Sequence, residues 1–303
     1  MHIILAGGTG FIGKELIHRL AKNNQRVTLL TRKPSSEIKN PLVTQVQWDG
    51  KNSGTWEKSF ESAHAVINLC GEPIAGKRWS KTQKERILSS RIDSTKAICD
   101  AISKSSRKPS VLINASGAGY YGNRSEESLI ESAPAGKGFL PETCIAWEKE
   151  AQRAESCGVR VVMLRIGMVL EKNGGALEKL LPPFYFFAGG PLGSGKQGMP
   201  WIHREDILGI IQFALHHTDI SGPVNVTAPE VVSNQQFSKI LGKVLRRPSW
   251  LKAPAWALKL LLGEMADELL LSGQRPVPSK LLRTGYKFRY FALEPALRSI
   301  LHK

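Results

Sequence analysis

Met1-His-Ile-Ile-Leu-Ala-Gly-Gly-Thr-Gly-Phe-Ile-Gly13 decides the fold of this chain. The apolar run Ile3-Ile4-Leu5-Ala6 has the length of a buried strand, and Ile12, Leu16, Ile17 and Leu20 follow at helical spacing. Between them stand Gly7, Gly10 and Gly13. The order is strand, glycine turn, helix. Such a turn presents unpaired backbone N–H groups at the positive end of a helix dipole, and glycines let a diphosphate approach without a Cβ in the way. Gly7, Thr9, Gly10, Phe11, Ile12 and Gly13 are therefore expected at a dinucleotide.

Arg26-Val-Thr-Leu-Leu-Thr31 reads as the second strand and ends in Arg32-Lys33, about 20 residues past the turn. There an acidic residue would accept from the 2′-OH of NAD, whereas an arginine pairs with the 2′-phosphate of NADP. No Asp or Glu occurs between Gln25 and Ser36, so Thr31 and Arg32 favour NADP(H) over NAD(H).

Working outward, Leu42–Trp48 is a third strand, with Asp49 placed to accept from an adenine amino group. Ala63–Gly71 holds the fourth, its end Asn68-Leu69-Cys70-Gly71 passing beneath the phosphates. A charged helix runs from about Ser80 to Ser103 with Ile87, Ile92, Thr95 and Ile98 inward. Its Arg91 either reaches the cofactor or lies on a solvated face. Val111–Ser116 is the fifth strand, followed by the small-residue turn Gly117-Ala-Gly-Tyr-Tyr-Gly122. Residues 123–141 read as a surface loop, Pro141–Ser156 as a helix and Val159–Ile166 as the sixth strand, with Ile166 at the cofactor edge. Strands alternating with helices of this length give an α/β fold, a doubly wound parallel sheet. The apolar stretches Trp256–Leu262 and Met265–Leu271 and the basic, aromatic tail Tyr286–Tyr290 then form a small, mostly helical lobe. The expected division is a Rossmann domain over 1–228 and a substrate-side lobe over 229–303.

Gly190-Pro-Leu-Gly-Ser-Gly-Lys-Gln197 matches a phosphate-binding loop except for Gln where a magnesium-binding hydroxyl is required. No strand feeds it, so it reads as a flexible loop near the site. Asp206 or a neighbour is suited to cap the helix running to His216, and His203 is expected to be structural there.

The chain has 303 residues, 42% of them hydrophobic, enough for one large core or a core and a small second one. No run of about 18 apolar residues occurs and no charged-then-apolar leader precedes the first strand, so a cytoplasmic protein without a membrane partner is expected. Cys70, Cys99, Cys144 and Cys157 lie far apart, which argues for free thiols and against a metal site. The net charge of +16 favours an anionic partner, a phosphorylated cofactor or a nucleic acid. Its scatter along the chain and the lack of a recognisable module argue against nucleic acid.

These residues resemble the extended short-chain dehydrogenase/reductases, the NAD-dependent epimerase/dehydratase family, and within it the branch labelled epimerase family protein. Gly7–Gly13, Asn68–Gly71, Ser90-Arg91, Tyr120–Gly122, Trp201-Ile-His203 and Gly263–Arg275 carry the resemblance, which spans essentially the whole chain. It implies an NADP-binding fold whose active relatives use Ser, Tyr and Lys, the last two spaced Y-x-x-x-K after the fifth strand. Here those two positions read Cys144 and Glu148, and the serine position falls at or beside Gly117, with Ser116 adjacent. In the family a lysine lowers the tyrosine pKa from ~10 so that it trades protons near neutrality. A carboxylate acts with the opposite sign on a nearby thiol or phenol. Ser116, Tyr120, Tyr121 and Glu148 remain as candidate catalytic groups acting on an unidentified small substrate. Two functions stay open: an NADP(H)-dependent oxidoreductase or epimerase-like enzyme with altered proton chemistry, and an NADPH-binding or sensing protein with little catalysis.

Overall fold

The computed structural model describes residues 1–302, apart from the side chains of residues 125 and 126; Lys303, the end of the expected lobe, lies outside the described residues. Its strands are β1 (His2–Ala6), β2 (Arg26–Thr31), β3 (Val43–Gln47), β4 (Ala65–Asn68), β5 (Val111–Gly117), β6 (Arg124–Leu129), β7 (Arg160–Ile166), β8 (Met168–Leu170), β9 (Gly198–Met199), β10 (Trp201–His203), β11 (Gly222–Val226), β12 (Val232–Ser233) and β13 (Gln274–Pro276). The helices are α1 (Phe11–Lys22), α2 (Lys81–Lys104), α3 (Phe139–Gln152), α4 (Gly175–Tyr185), α5 (Arg204–His216), α6 (Asn234–Leu245), α7 (Ala255–Leu262), α8 (Glu264–Ala266), α9 (Ser279–Arg283) and α10 (Leu293–Leu301).

Seven strands form one parallel sheet in the order β11-β7-β5-β4-β1-β2-β3. The chain builds outward from β1 to β3, returns to β4 beside β1 and then builds the other way. That reversal makes the carboxyl ends of β1 and β4 the switch point, the place where a doubly wound sheet takes its ligand.

Alternate residues along each strand feed opposite faces. Ile3, Leu5, Leu29, Ile67, Ile113 and Leu164 pack with α1 and α5. Ile4, Ala6, Leu30, Val66, Leu112 and Met163 pack beneath α2 and α3. Both faces are covered, so the strands are apolar almost throughout. A third core joins Leu177, Leu181 and Trp201 to Phe237, Leu241 and Leu297, mixing residues from either side of position 228.

Three expectations need correction. Residues 123–141 are not simply a surface loop: β6 lies there, paired in parallel with β13 from far along the chain, and α3 begins at Phe139. A strand whose partner is about 150 residues away has no local signature. Segment 190–197 is not a free loop but a clasp, in which Gln197 Nε2 donates to Leu192 O at 2.9 Å and Leu270 O at 2.8 Å. Asn234 Oδ1 accepts from Leu192 N. Finally, the cap of α5 is His203, whose Nδ1 accepts from Glu205 N at 3.0 Å, as its expected structural role requires. Asp206 instead sits buried and accepts from Arg289 N and Tyr290 N, pinning the tail to α5.

Candidate cofactor cleft and polar edge

The glycine turn leaves β1 through Gly7 at φ +77°, the left-handed region that favours glycine. A Cβ there would lie 2.5 Å from the carbonyl carbon of Leu69, and one at Gly13 would lie 2.5 Å from Gly7 O. These two glycines let the turn, the start of α1 and the loop after β4 touch. A Cβ at Gly10 would meet only Gly7 O, at 3.2 Å. Gly10 and Thr9 are exposed, and Phe11 and Ile12 half-buried.

Gly10 is the N-cap of α1, no side chain caps it, and the first turn carries no acid. The leading amides of the helix therefore face outward without a partner from their own helix or a competing negative charge. This cradle fits the diphosphate of a dinucleotide. The Phe11 ring is covered by Gly174 and Gly175, where any Cβ would press on it, at 2.6 Å in the first case.

Thr31 ends β2 and is buried, and Arg32 follows it, exposed. Thr31 Oγ1 donates to Lys33 O, and Gln47 Nε2 to Arg32 O, so the backbone of this turn is fixed while the guanidinium reaches into solvent. Its charge reaches Cys70: desolvation pushes that thiol up to about 12, and Arg32 pulls against it. Asp49 is exposed and closes its own turn, Oδ1 accepting from Lys51 N and Asn52 N and Oδ2 from Asn52 Nδ2.

After β4, Leu69 and Cys70 are half-buried and Gly71 exposed. Asn68 shapes this loop by accepting from Cys70 N at 3.1 Å. Asn68 is itself held, donating to Asn114 Oδ1 at 2.7 Å and Thr95 Oγ1 at 3.0 Å, with Trp147 Nε1 donating to the same hydroxyl. Arg91 is buried, so the solvated-face alternative fails. Its Nη1 donates to Ile87 O and Glu72 O, and its guanidinium lies 5.0 Å from the Trp147 ring and against Gly71. Arg91 thus braces the loop from behind. Ile166 is half-buried at the end of β7.

The second part of the site is a row across the sheet. Register places Ser116 of β5 beside Arg165 of β7, and Arg165 beside Asn225 of β11. Arg165 is the hub, and sequence reasoning gave it no role. Its Nε and Nη2 donate to the two carboxylate oxygens of Glu148 at 2.9 and 2.8 Å, and Nη1 donates to Tyr121 Oη at 3.0 Å and Glu131 O at 3.0 Å. Burial pulls the Arg165 pKa down, but the Glu148 carboxylate outweighs it and holds the guanidinium above its ordinary value. The readable signal was a charge in an otherwise apolar central strand, since a buried charge demands a partner.

This arrangement fixes the candidate catalytic groups. Glu148 also accepts from Ser116 Oγ at 2.7 Å, so its carboxylate is committed on both oxygens. Tyr121 is fully buried, and its hydroxyl donates to Asn225 Oδ1 at 2.6 Å; burial raises its pKa, with Arg165 opposing. Cys144, one turn before Glu148 on α3, points its Sγ at Gly117 O, 3.7 Å away. Burial first and the Glu148 charge second push that thiol up to about 11. The direction is the one expected of a carboxylate in the lysine position. Tyr120 alone of these four candidates is half-exposed, its ring stacked on the Arg165 guanidinium at 3.4 Å.

Glu268, from the C-terminal part of the chain, was also missed. Its carboxylate accepts from Phe139 N and Leu140 N and so caps α3, which carries Cys144 and Glu148. Only the folded chain brings position 268 to the start of that helix. Among the described residues no group of His, Cys, Asp and Glu is placed to hold a metal, and no helix is long and apolar enough to cross a membrane.

The model of the NAD dependent epimerase/dehydratase family matches residues 3–227, and that of a domain of unknown function (DUF1731) matches residues 253–300. The epimerase family protein YfhF of Bacillus subtilis (strain 168) is 40% identical over 302 residues, covering 99% of this chain and 98% of its own. The crystal structure of human epimerase family protein SDR39U1 (isoform 2) with NADPH superposes with a TM-score of 0.88 at 32% identity, covering 100% of this chain and 99% of that one. The UDP-glucuronic acid 4-epimerase from Bacillus cereus shares the fold, with a TM-score of 0.78 at 19% identity and coverage of 99% and 98%.

Proposed function

Because the chain belongs to the NAD dependent epimerase/dehydratase family, we propose that it binds NADP(H) in the crevice between β1 and β4 and acts on a small substrate without the family's tyrosine–lysine proton relay. The observation that carries this reading is the uncapped, acid-free start of α1 behind Gly7 and Gly10, with exposed Arg32 just after β2. The NADPH in the human relative supports it. Bound there, the nicotinamide supplies a hydride donor or acceptor.

The chain's own residues have distinct tasks. Amides of the glycine turn hold the diphosphate, Arg32 pairs with the 2′-phosphate, and Leu69, Cys70 and Gly71, braced by Arg91 and Asn68, floor the crevice. Asp49 accepts from the adenine with the lone pairs its turn leaves free. At the polar edge the Glu148 carboxylate accepts from Ser116 and Arg165, and the Tyr121 hydroxyl is held between Arg165 and Asn225, which leaves Tyr120 facing a substrate.

A second reading, an NADPH-binding protein with little turnover, is favoured by one specific observation: the side chains at the relay positions are a high-pKa thiol and a carboxylate already paired with Arg165. Losing general acid–base help removes roughly 10² to 10⁴ in rate.

Titration calorimetry tests the cofactor reading. Arg32→Ala is expected to weaken NADPH binding by about 1–3 kcal/mol and leave NADH nearly unchanged. Equal losses for both would sink the 2′-phosphate assignment. Turnover of carbonyl or nucleotide-sugar substrates that disappears in Tyr120→Phe, with NADPH binding intact, would decide for an enzyme; no turnover in the native protein would favour the binding reading.

A further inference from the structure

Segment 233–263 contains Lys239, Lys243, Arg246, Arg247, Lys252 and Lys259 and no Asp or Glu. Within it α7 has no buried residue, although its sequence Ala-Trp-Ala-Leu-Lys-Leu-Leu-Leu is mostly apolar. Trp256, Leu260 and Leu261 are 71%, 74% and 70% exposed, and Trp250, just before the helix, is 72% exposed. Residues 250–253 run alongside the segment that follows α4: Leu251 N donates to Gly189 O and Ala253 N to Pro191 O. Phe186, 80% exposed, and Phe187 lie just before that paired segment, with the Arg247 guanidinium 4.5 Å from the Phe187 ring. Scattered exposed apolar side chains are ordinary, but this many large ones on one short helix, the residue before it and the segment paired with that stretch are not.

Charge selects the occupant. A two-fold contact between two copies would set this acid-free, basic segment against itself, which like-charge repulsion opposes. Tryptophan and leucine tips rimmed by lysine and arginine suit a surface that is apolar inside and negative at its edge. We infer that α7 and the adjoining Trp250 and Phe186 form a docking face for an anionic lipid bilayer, on which the protein lies peripherally. This departs from the expectation of no membrane partner. It concerns attachment at the headgroup level, since no described helix is long and apolar enough to span. Anionic headgroups attract the flanking cations, while the two indoles and the leucines enter the interface. Lys259 is shared with Asp267 and Lys243 with Glu294, so Lys252 and the two arginines carry most of the attraction. The inference is independent of the cofactor reading.

The full chain is sedimented with vesicles of equal phosphatidylglycerol and phosphatidylcholine and, separately, of phosphatidylcholine alone. Binding to the first and not the second is expected, with a blue shift of tryptophan emission. Trp250→Ser/Trp256→Ser/Leu260→Ser should lower partitioning about tenfold or more with an unchanged melting curve, because the altered side chains are exposed. Lys252→Glu/Lys259→Glu, which keeps the apolar cluster, should also lower it. Any of three results would overturn the inference: no binding of the native protein to anionic vesicles, full binding by the triple variant, or a concentration-dependent dimer that the triple variant abolishes.

Discussion

The glycine turn and the polar edge lie at the same end of one sheet, yet they are made of opposite materials. The turn works through what is missing: no Cβ at Gly7 and Gly13 and no side-chain cap on α1, so backbone amides are offered to a ligand. The edge works through what is present, since Ser116, Tyr121, Glu148, Arg165 and Asn225 fill one another's hydrogen-bonding capacity away from water. One region is open, its leading amides without a side-chain cap or an acid in the first turn. The other is already complete, its hydroxyls and carboxylate held by one another and by Arg165.

Breaking the edge should have the largest effect. Glu148→Ala leaves the Arg165 guanidinium buried without its carboxylate and is expected to cost about 3–5 kcal/mol in urea denaturation. Glu148→Leu/Arg165→Met should cost less than the two single changes combined, because both charges leave together. A strictly additive double variant would mean that the pair is not coupled.

Breaking the turn should cost less in stability but more in binding. Gly13→Ala forces a Cβ to within 2.5 Å of Gly7 O, for an expected loss of about 1–3 kcal/mol from overpacking. Calorimetry should find NADPH affinity sharply reduced; unchanged affinity would show that the turn does not hold the cofactor. Tyr121→Phe removes one buried hydroxyl while Arg165 keeps Glu148 and Glu131 O. It should cost about 1–2 kcal/mol and leave NADPH binding alone.

The smallest effect sharpens the comparison at Cys144. With its pKa raised from 9.0 to about 11, Cys144 should carry roughly a hundredth of an ordinary thiol's thiolate at pH 8. Iodoacetamide should therefore label half-exposed Cys157 first and spare Cys144 and buried Cys99. The raised value favours the neutral thiol in the folded state. The stability it lends is full below the ordinary thiol pKa and disappears as pH rises through about 11. Rapid alkylation of Cys144 near neutrality would contradict this account.

The two regions also differ in how far the sequence disclosed them. Six of the sheet strands and the helices α1, α2 and α3 follow from apolar runs and helical spacing over a dozen residues, because each buries its face by local periodicity. The glycine turn was equally legible, since its function needs neighbouring residues in one conformation. Arg165 was visible only as a charge in an apolar run, and its partners Glu148, Tyr121 and Asn225 lie 17, 44 and 60 residues from it in either direction. The pairing of β6 with β13 and the Glu268 cap on α3 were hidden for the same reason.

By itself the sequence determined the alternation of strand and helix, the glycine turn between β1 and α1 and the cation just after β2, each legible within a short window of the chain. Tertiary structure alone decided which polar groups neutralise one another, whether Arg91 braces or is solvated, and that α7 stays uncovered. Those outcomes depend on desolvation and on partners brought together only when distant segments pack, and no window of the chain contains both sides of such a contact.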